Sequence, residues 1–340
     1  MASVALSPAP DGAAIVVPPR GGTGGWPFVD RVCYWLCWAT GVGMCLIAVA
    51  IVLYMFLKGI SYLHPSLFIQ SPAPSLQQSQ SGGFRDPLIG TFIVTVIGTA
   101  IAAPTGVAIA AWLSEYGRPS WLARTVESAV EMLAGVPSIV LALFGLLIFS
   151  QGFLGFLSQG AAKGALGESF FNAGAVMSLL ALPLVVASTR EALAQVPDQL
   201  REASYALGKA RNMTIRRVLL PAIRPSIASG VVLGMGRIIG DTAIVTVLLG
   251  VTLKNEGVGH LPIIGTLRGT GSTLTSYVYN NSPAGEGNAH EKAYAAAFVL
   301  LVVVLLLNAL VTRLTTGAKT SGEGMLARFT GRLRRPAWIR

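Results

Sequence analysis

Long uncharged apolar windows set the first reading of the chain. They run over 32–57, 87–114, 132–162, 169–189 and 293–312. A hydrocarbon core of about 30 Å takes about 20 helical residues to cross, and a helix satisfies its own backbone groups where no water reaches. A sixth apolar segment, 225–250, is interrupted by Arg237 and Asp241. The pattern predicts an all-α integral membrane protein with six transmembrane helices, the fifth of them unusual. Pro104, Pro137 and Pro183 fall in or near the spans as potential kinks. One sizeable polar stretch, 190–225, separates two spans. Two other connecting stretches are long, 58–87 and 251–291. The first contains SPAPSLQQSQSGG and reads as a polar linker, the second as a docking surface for an external partner.

Composition agrees with a lipid environment. Apolar residues make up 53% of the chain and charged ones 12%, against about 25% charged in soluble domains, and the mean hydropathy is +0.63. An ordinary soluble enzyme and a disordered chain are both excluded. The net charge of +10 is explained by its distribution. With the N-terminus in the cytoplasm, eighteen Lys/Arg fall inside, six outside and one within the membrane. That bias predicts both termini cytoplasmic and accounts for the charge without nucleic acid. Residues 1–30, rich in Ala, Pro and Gly, read as a flexible cytoplasmic tail with no cleaved signal peptide. Residues 31–87 hold the first transmembrane helix and an outer loop, and 88–315 a core of five helices. Residues 316–340 form a basic cytoplasmic tail facing lipid headgroups.

The polar stretch 190–225 predicts a helix, a glycine turn and a second helix lying across the cytoplasmic face. Asp198 suits an N-cap, the residues from Gln199 to Leu207 favour helix, and Gly208 suits a left-handed C-terminal position. A second helix begins near Asn212 or Thr214 and runs to Leu220, and Pro221 and Pro225 punctuate the return to the membrane. Ala203, Ala206, Leu207 and Ala210 make a small apolar surface, with Arg201, Lys209, Arg211, Arg216 and Arg217 around it. This can be a knob that docks in a groove of another subunit or an amphipathic connector resting on headgroups.

Glu202-Ala203-Ser204, then Gly208, then Val218-Leu219-Leu220-Pro221 resembles the EAA loop of ABC importer permeases. That pattern is Glu-Ala-Ala, three residues, Gly, nine residues, Ile, one residue, Leu-Pro. The spacing agrees throughout; Ser204 replaces an alanine and Val218 an isoleucine. The resemblance implies that the loop is a coupling helix seated in a cleft of a cytoplasmic ATPase, with Glu202, Ala203, Ser204, Gly208, Leu220 and Pro221 as coupling residues. AGVPSIVLALFG (134–145), VPDQLREASYALG (196–208) and GRIIGDTAIVTVLLG (236–250) look like permeases of the bacterial phosphate importer, PstA type. So do TSYVYNNSP and HEKAYAAAFVLLVVVLLLN near the end. The likeness runs over 91–313, about two thirds of the chain. Where that family often has Gly-Glu-Thr-Ala-Pro, this chain has Gly240-Asp241-Thr242-Ala243-Ile244, with a shorter acid and no proline.

The resemblance implies a type I ABC importer permease fold in the bacterial inner membrane, moving inorganic phosphate inward by alternating access. It implies three kinds of partner: a second permease subunit, an ATPase dimer that binds the ATP and Mg, and an extracytoplasmic phosphate-binding protein; the charge pattern adds membrane lipid. A permease for another oxyanion or small solute, a stand-alone secondary transporter and a non-transporting scaffold are the competing readings. The spacing of Glu202, Gly208 and Pro221 weighs against the carrier.

Arg237 and Asp241, four residues apart, are predicted to share one helix face. A charge near mid-bilayer costs at least about 2.5–3.5 kcal/mol, so such residues pair with each other or line a polar pathway. An arginine offers an oxyanion a planar two-pronged fork. Arg237, Asp241 and, at the inner mouth, Arg190 are the substrate-pathway candidates; a packing salt bridge is the other reading of the pair. Glu127 and Glu131 read as features of the cytoplasmic mouth of the third span. Gly230, Gly234, Gly236 and Gly240 predict close helix packing. Cys33, Cys37 and Cys45 lie in one window at helical spacing and do not form a disulfide framework. With only His64, His260 and His290 beside them, they predict no metal site. No Walker-type phosphate loop and no nucleophile–base constellation occur in the sequence. The chain is therefore expected to be a transport subunit without catalytic residues or a cofactor of its own.

Overall fold

The computed structural model describes residues 7–8, 14–15, 28–72, 82–117, 120–150, 167–250, 266–282 and 290–316. The expectations for the basic tail beyond 316, for most of the N-terminal tail and for most of SPAPSLQQSQSGG lie outside them. The chain divides into two units, 1–54 and 55–340. In the first, Ser7–Pro8 pairs antiparallel with Ala14–Ile15, and helix α1 (Phe28–Gly59) begins. Asp30 opens α1 and Lys58 closes it, the charge order that suits a helix dipole. Its free cysteines are exposed among Trp35, Leu36, Trp38 and Leu46. A helix apolar on every side belongs in lipid or against other apolar helices.

The second unit is helical, with α2 (Ser66–Ile69), α3 (Arg85–Glu115), α4 (Trp121–Gly135), α5 (Ser138–Phe149) and α6 (Phe170–Ala194). There follow α7 (Asp198–Ala206), α8 (Arg211–Ala222), α9 (Arg224–Gly240), α10 (Ala243–Leu249), α11 (Leu274–Asn281) and α12 (His290–Thr316). Among the described residues four helices are long and apolar enough to cross a membrane: α1, α3, α6 and α12. Two bent pairs, α4 with α5 and α8 with α9, also pass as pairs, and six spans result if each bent pair is one span.

The third window is bent at Pro137, one of the potential kinks: α4 and α5 meet at 110°. Pro137 supplies no amide hydrogen and disfavours helical backbone at Val136, which is extended (φ −73°, ψ 128°). Charge-free length marked the apolar segment but not the turn inside it. The fifth window likewise divides. Helix α9 is 17 residues long, about 25 Å at 1.5 Å per residue. An extended Asp241 then separates it from α10. Pro104 and Pro183, by contrast, sit inside continuous helices.

Helix α6 is the hub: α3 and α9 pack along it, and α4, α5 and α10 also touch it. Its Phe170, Met177 and Val185 are buried, and Phe170 and Met177 share a core with Val94, Leu141, Ile238, Ile244 and Leu248. Small residues allow the approach. A Cβ on Gly174 would stand 2.6 Å from Ile97 Cγ2, so only glycine lets α3 and α6 lie this close.

The docking surface expected over 251–291 lies largely outside the described residues; of those described, one stretch packs inward while Tyr279 is exposed. Residues from Ser272 to Tyr277 are buried. Thr273 caps α11 in a reciprocal box with Ser276, and the Leu274 amide donates to Thr91 Oγ1 at 2.8 Å. Hydropathy reads these hydroxyl residues as polar, yet Thr273, Thr275 and Ser276 can be buried because they hydrogen-bond one another and, from Thr275, the Asp241 carbonyl. Burial pushes the Tyr277 phenol up to about 12.

Candidate functional site

The α7–α8 knob forms from local rules. Pro197 is extended (ψ 138°), so α7 starts with Asp198 as its first helical residue and has no side-chain cap. Asp198 was expected to be the N-cap itself; its Oδ1 instead accepts from Arg201 Nη1 at 2.8 Å. At the other end the Gly208 amide donates to the Tyr205 carbonyl at 2.9 Å and the Lys209 amide to the Ser204 carbonyl at 3.2 Å. This paired closure requires a left-handed residue, and Gly208 provides it at φ +73°. Helix α8 contains a π-helical stretch, Ile215–Leu219.

The knob presents Glu202, Ala203, Ala206, Leu207 and Gly208 to the outside, with Leu207 76% exposed. Ser204 is buried and its hydroxyl meets that of Thr214 at 2.9 Å, tying α7 to α8. The replacement of alanine by Ser204 thus has a partner ten residues on. Leu220 packs on the buried cluster of Leu193, Ile215, Leu219 and Ile223, and Pro221 is half-buried beside it. The structure therefore places Glu202, Ala203 and Gly208 on one open face, and Ser204, Leu220 and Pro221 behind it.

Arg201 does not belong to the exposed ring of cations in which the sequence grouped it. It turns inward, with Nε on Glu115 Oε1 at 3.1 Å and Nη1 on the Val196 carbonyl at 2.9 Å. Its Nη2 donates to the Leu193 carbonyl at 2.8 Å. The Arg201 side chain is 19% exposed and that of Glu115 7%. A guanidinium suits this place because its fan of donors serves a carboxylate and the open carbonyls at a helix end together. Arg211 adds a second tie, its guanidinium 5.2 Å from the centre of the Tyr116 ring. The knob is thus fastened to the end of α3 and to the end of α6. Sequence reading missed Glu115, Tyr116 and Thr214. Glu115 lies 86 positions from Arg201, and no local pattern signals such a partner.

The three pathway candidates are not brought together. Arg190, on α6, pairs with Glu127 of α4 at 2.5 Å. Ser188 stands against Gly230 and Ala181 against Gly234, so α6 and α9 run antiparallel and Arg190 and Arg237 lie toward opposite ends of the pair. Asp241 does not share a helix face with Arg237, because α9 ends at Gly240 and Asp241 is extended (φ −81°, ψ 129°). Its Oδ1 accepts the Ile244 amide at 2.9 Å. The short acid satisfies a free amide at the start of α10, the usual competition of Asp with helix continuation.

Arg237 is left exposed, and it makes no ion pair or hydrogen bond among the described residues. Gly236 and Gly240 flank it, and a Cβ on either would meet nothing within 4 Å. The four glycines thus divide: Gly230 and Gly234 seat α9 on α6, while Gly236 and Gly240 leave space beside a free guanidinium. At the far end of α6, burial raises the Glu168 carboxyl above the ordinary carboxylate range; its Oε2 lies 3.0 Å from where a Cβ of Gly250 would stand.

Comparison with known proteins adds to this geometry. Residues 102–319 match the family described as binding-protein-dependent transport system inner membrane component. The phosphate transport system permease protein PstA 1 of Mycobacterium tuberculosis is 34% identical over 235 residues, covering 68% of this chain and 70% of that protein. The phosphate transport system permease protein PstA of Haemophilus influenzae is 32% identical over 281 residues, 81% and 85% of the two chains. A solved structure of a bacterial alginate ABC transporter, in complex with an alginate pentasaccharide-bound periplasmic protein, shares the fold. Its TM-score is 0.57 at 17% identity, over 83% of this chain and 93% of that one. The chain belongs to the binding-protein-dependent transport system inner membrane component family, and is a multi-pass membrane permease of the ABC importer class.

Proposed function

We propose that this permease carries inorganic phosphate inward as part of an ATP-driven importer. The observation that carries the reading is the unpaired Arg237 on the open face of α9, in a chain whose relatives include the two phosphate permeases above. A tetrahedral anion fits a planar fork with no competing carboxylate on it. Asp241 contributes by ending α9, which holds Arg237 at the last turn of the helix. Arg190, held by Glu127, is a second station toward the knob. A pathway must release what it binds, and a cation already paired with an acid holds an anion loosely.

The exposed face of Glu202, Ala203 and Gly208 seats in a cleft of a cytoplasmic ATPase dimer, which holds ATP and Mg. Both chain ends lie on that same side. Ser204, Leu220 and Pro221 keep the face rigid from behind. When the dimer closes it pushes α7, and Arg201 passes the displacement to α3 through Glu115 and to α6 through its terminal carbonyls. A second permease subunit completes the pathway, and an extracytoplasmic binding protein delivers phosphate to the outer side. A guanidinium fork alone does not separate phosphate from other tetrahedral oxyanions, so an importer for another oxyanion is the second reading. Reconstituted with its partners, the chain should drive ATP-dependent accumulation of labelled phosphate that excess sulfate does not suppress. Accumulation of sulfate in place of phosphate would overturn the assignment.

Arg201 gives a separate prediction. Arg201→Gln should leave ATP hydrolysis running while phosphate moved per ATP drops at least about fivefold, the lower end of ordinary site-to-site coupling. Arg201→Lys should keep part of the coupling, because an ammonium retains the pairing with Glu115 but serves fewer of the carbonyls. Simultaneous measurement of hydrolysis and uptake checks this, and an unchanged ratio counts against the tie.

A further inference from the structure

A groove of about 570 Å³ runs along α3 and ends under α8. Its walls are almost wholly apolar: Pro104, Val107 and Ala108 from α3, with Leu220 and Ile227 opposite. From Pro104 to Tyr116 it follows α3 for about 18 Å at 1.5 Å per residue, close to the hydrocarbon depth of one leaflet, about 15 Å. One end is different in kind. Trp112 and Tyr116 stand there, both partly exposed, together with Asn212 and Arg216. Arg216 is exposed and makes no hydrogen bond or ion pair among the described residues. Arg211 lies over the Tyr116 ring at the same end, and Glu115, the acid that closes α3, is taken by Arg201. Nothing acidic in the groove lining answers Arg216.

We infer that this groove is a binding site for one anionic phospholipid, with an acyl chain lying along α3 and the headgroup phosphate on Arg216. The three parts match the three zones of a lipid in order. The apolar trough takes the chain, Trp112 and Tyr116 stand at the depth where such rings collect, and a free guanidinium meets the phosphate. A single basic residue near an anionic surface is worth about a fivefold preference. The occupied groove braces α8 against α3. Assigning the lipid to the cytoplasmic leaflet rests on the orientation proposed above. The groove itself requires only that the chain is a membrane protein.

The test uses the full chain purified in detergent, with phosphatidylglycerol and phosphatidylcholine as probes and native mass spectrometry as the readout. Wild-type protein should retain phosphatidylglycerol in preference to phosphatidylcholine. Arg216→Gln, at an exposed and unpartnered position, should lower phosphatidylglycerol affinity about fivefold and phosphatidylcholine affinity by less, because the choline cation offsets the charge of its phosphate, while Arg216→Lys keeps the preference. Ala108→Phe, which fills the trough, should remove both lipids. Equal retention of the two lipids by wild-type protein, or no effect of Arg216→Gln, would overturn the site. So would displacement by millimolar inorganic phosphate, which would make it a free-anion site. Cross-linking from position 108 to a second permease chain in native membranes would show that a protein helix fills the trough instead, and would also overturn it. None of these readouts depends on which solute is imported, so a wrong substrate leaves them unchanged.

Discussion

Gly208→Asp should abolish phosphate uptake and ATPase coupling while the chain still reaches the membrane in normal amount. The separation follows from the surroundings of the glycine. A Cβ there meets nothing within 4 Å, so a side chain causes no clash. What it meets is backbone strain at φ +73°, about 1–2 kcal/mol for an ordinary residue and less for Asp or Asn. A loss of that size is local to the α7 closure, while the core around α6 is untouched. The new carboxylate, however, stands on the face formed by Glu202, Ala203 and Leu207, where a desolvated unpaired charge disrupts a docked surface. Membrane abundance, uptake and hydrolysis measured together check this; normal uptake would remove the coupling role of the knob. Gly208→Ala should separate strain from charge by retaining most uptake.

Arg237→Gln should reduce initial phosphate uptake by tenfold or more, estimated from about 1.5–3 kcal/mol for a charged hydrogen bond, without reducing assembly. The residue makes no hydrogen bond or ion pair among the described residues, so its loss strands no partner. Removing a charge from the span also relieves an insertion cost of about 2.5–3.5 kcal/mol. Arg237→Lys should fall between, since it keeps the charge and loses the fork. Uptake rates normalised to membrane level decide the matter. A wild-type rate in Arg237→Gln would leave the residue idle. A parallel loss of protein would make it structural.

Features set by short stretches of chain were legible in the sequence. The apolar windows found the spanning helices because hydrocarbon length is a property of contiguous residues. Gly208 was legible because the left-handed closure of a helix selects glycine locally. The bend at Pro137 was legible as a potential kink because proline restricts the backbone locally, though Pro104 and Pro183 carry the same signal inside continuous helices. The Arg237–Asp241 pair was misread because helical spacing was assumed to continue through Gly240, where Asp241 found a nearer donor in the Ile244 amide. Arg201–Glu115 and Arg190–Glu127 could not be read at all, because they join residues 86 and 63 positions apart. Such partners are set by how α3, α4 and α6 pack, and that packing rests on glycines such as Gly174, which carry no hydropathy signal.

The central claim is that this chain is a gate moved by nucleotide hydrolysis on another polypeptide. Its most direct test is phosphate accumulation in sealed vesicles holding the full chain, with and without its ATPase, second permease and binding protein. The account predicts uphill accumulation only in the complete assembly, strictly dependent on ATP. Accumulation against a gradient by the chain alone, driven by an ion gradient and indifferent to ATP, would contradict it.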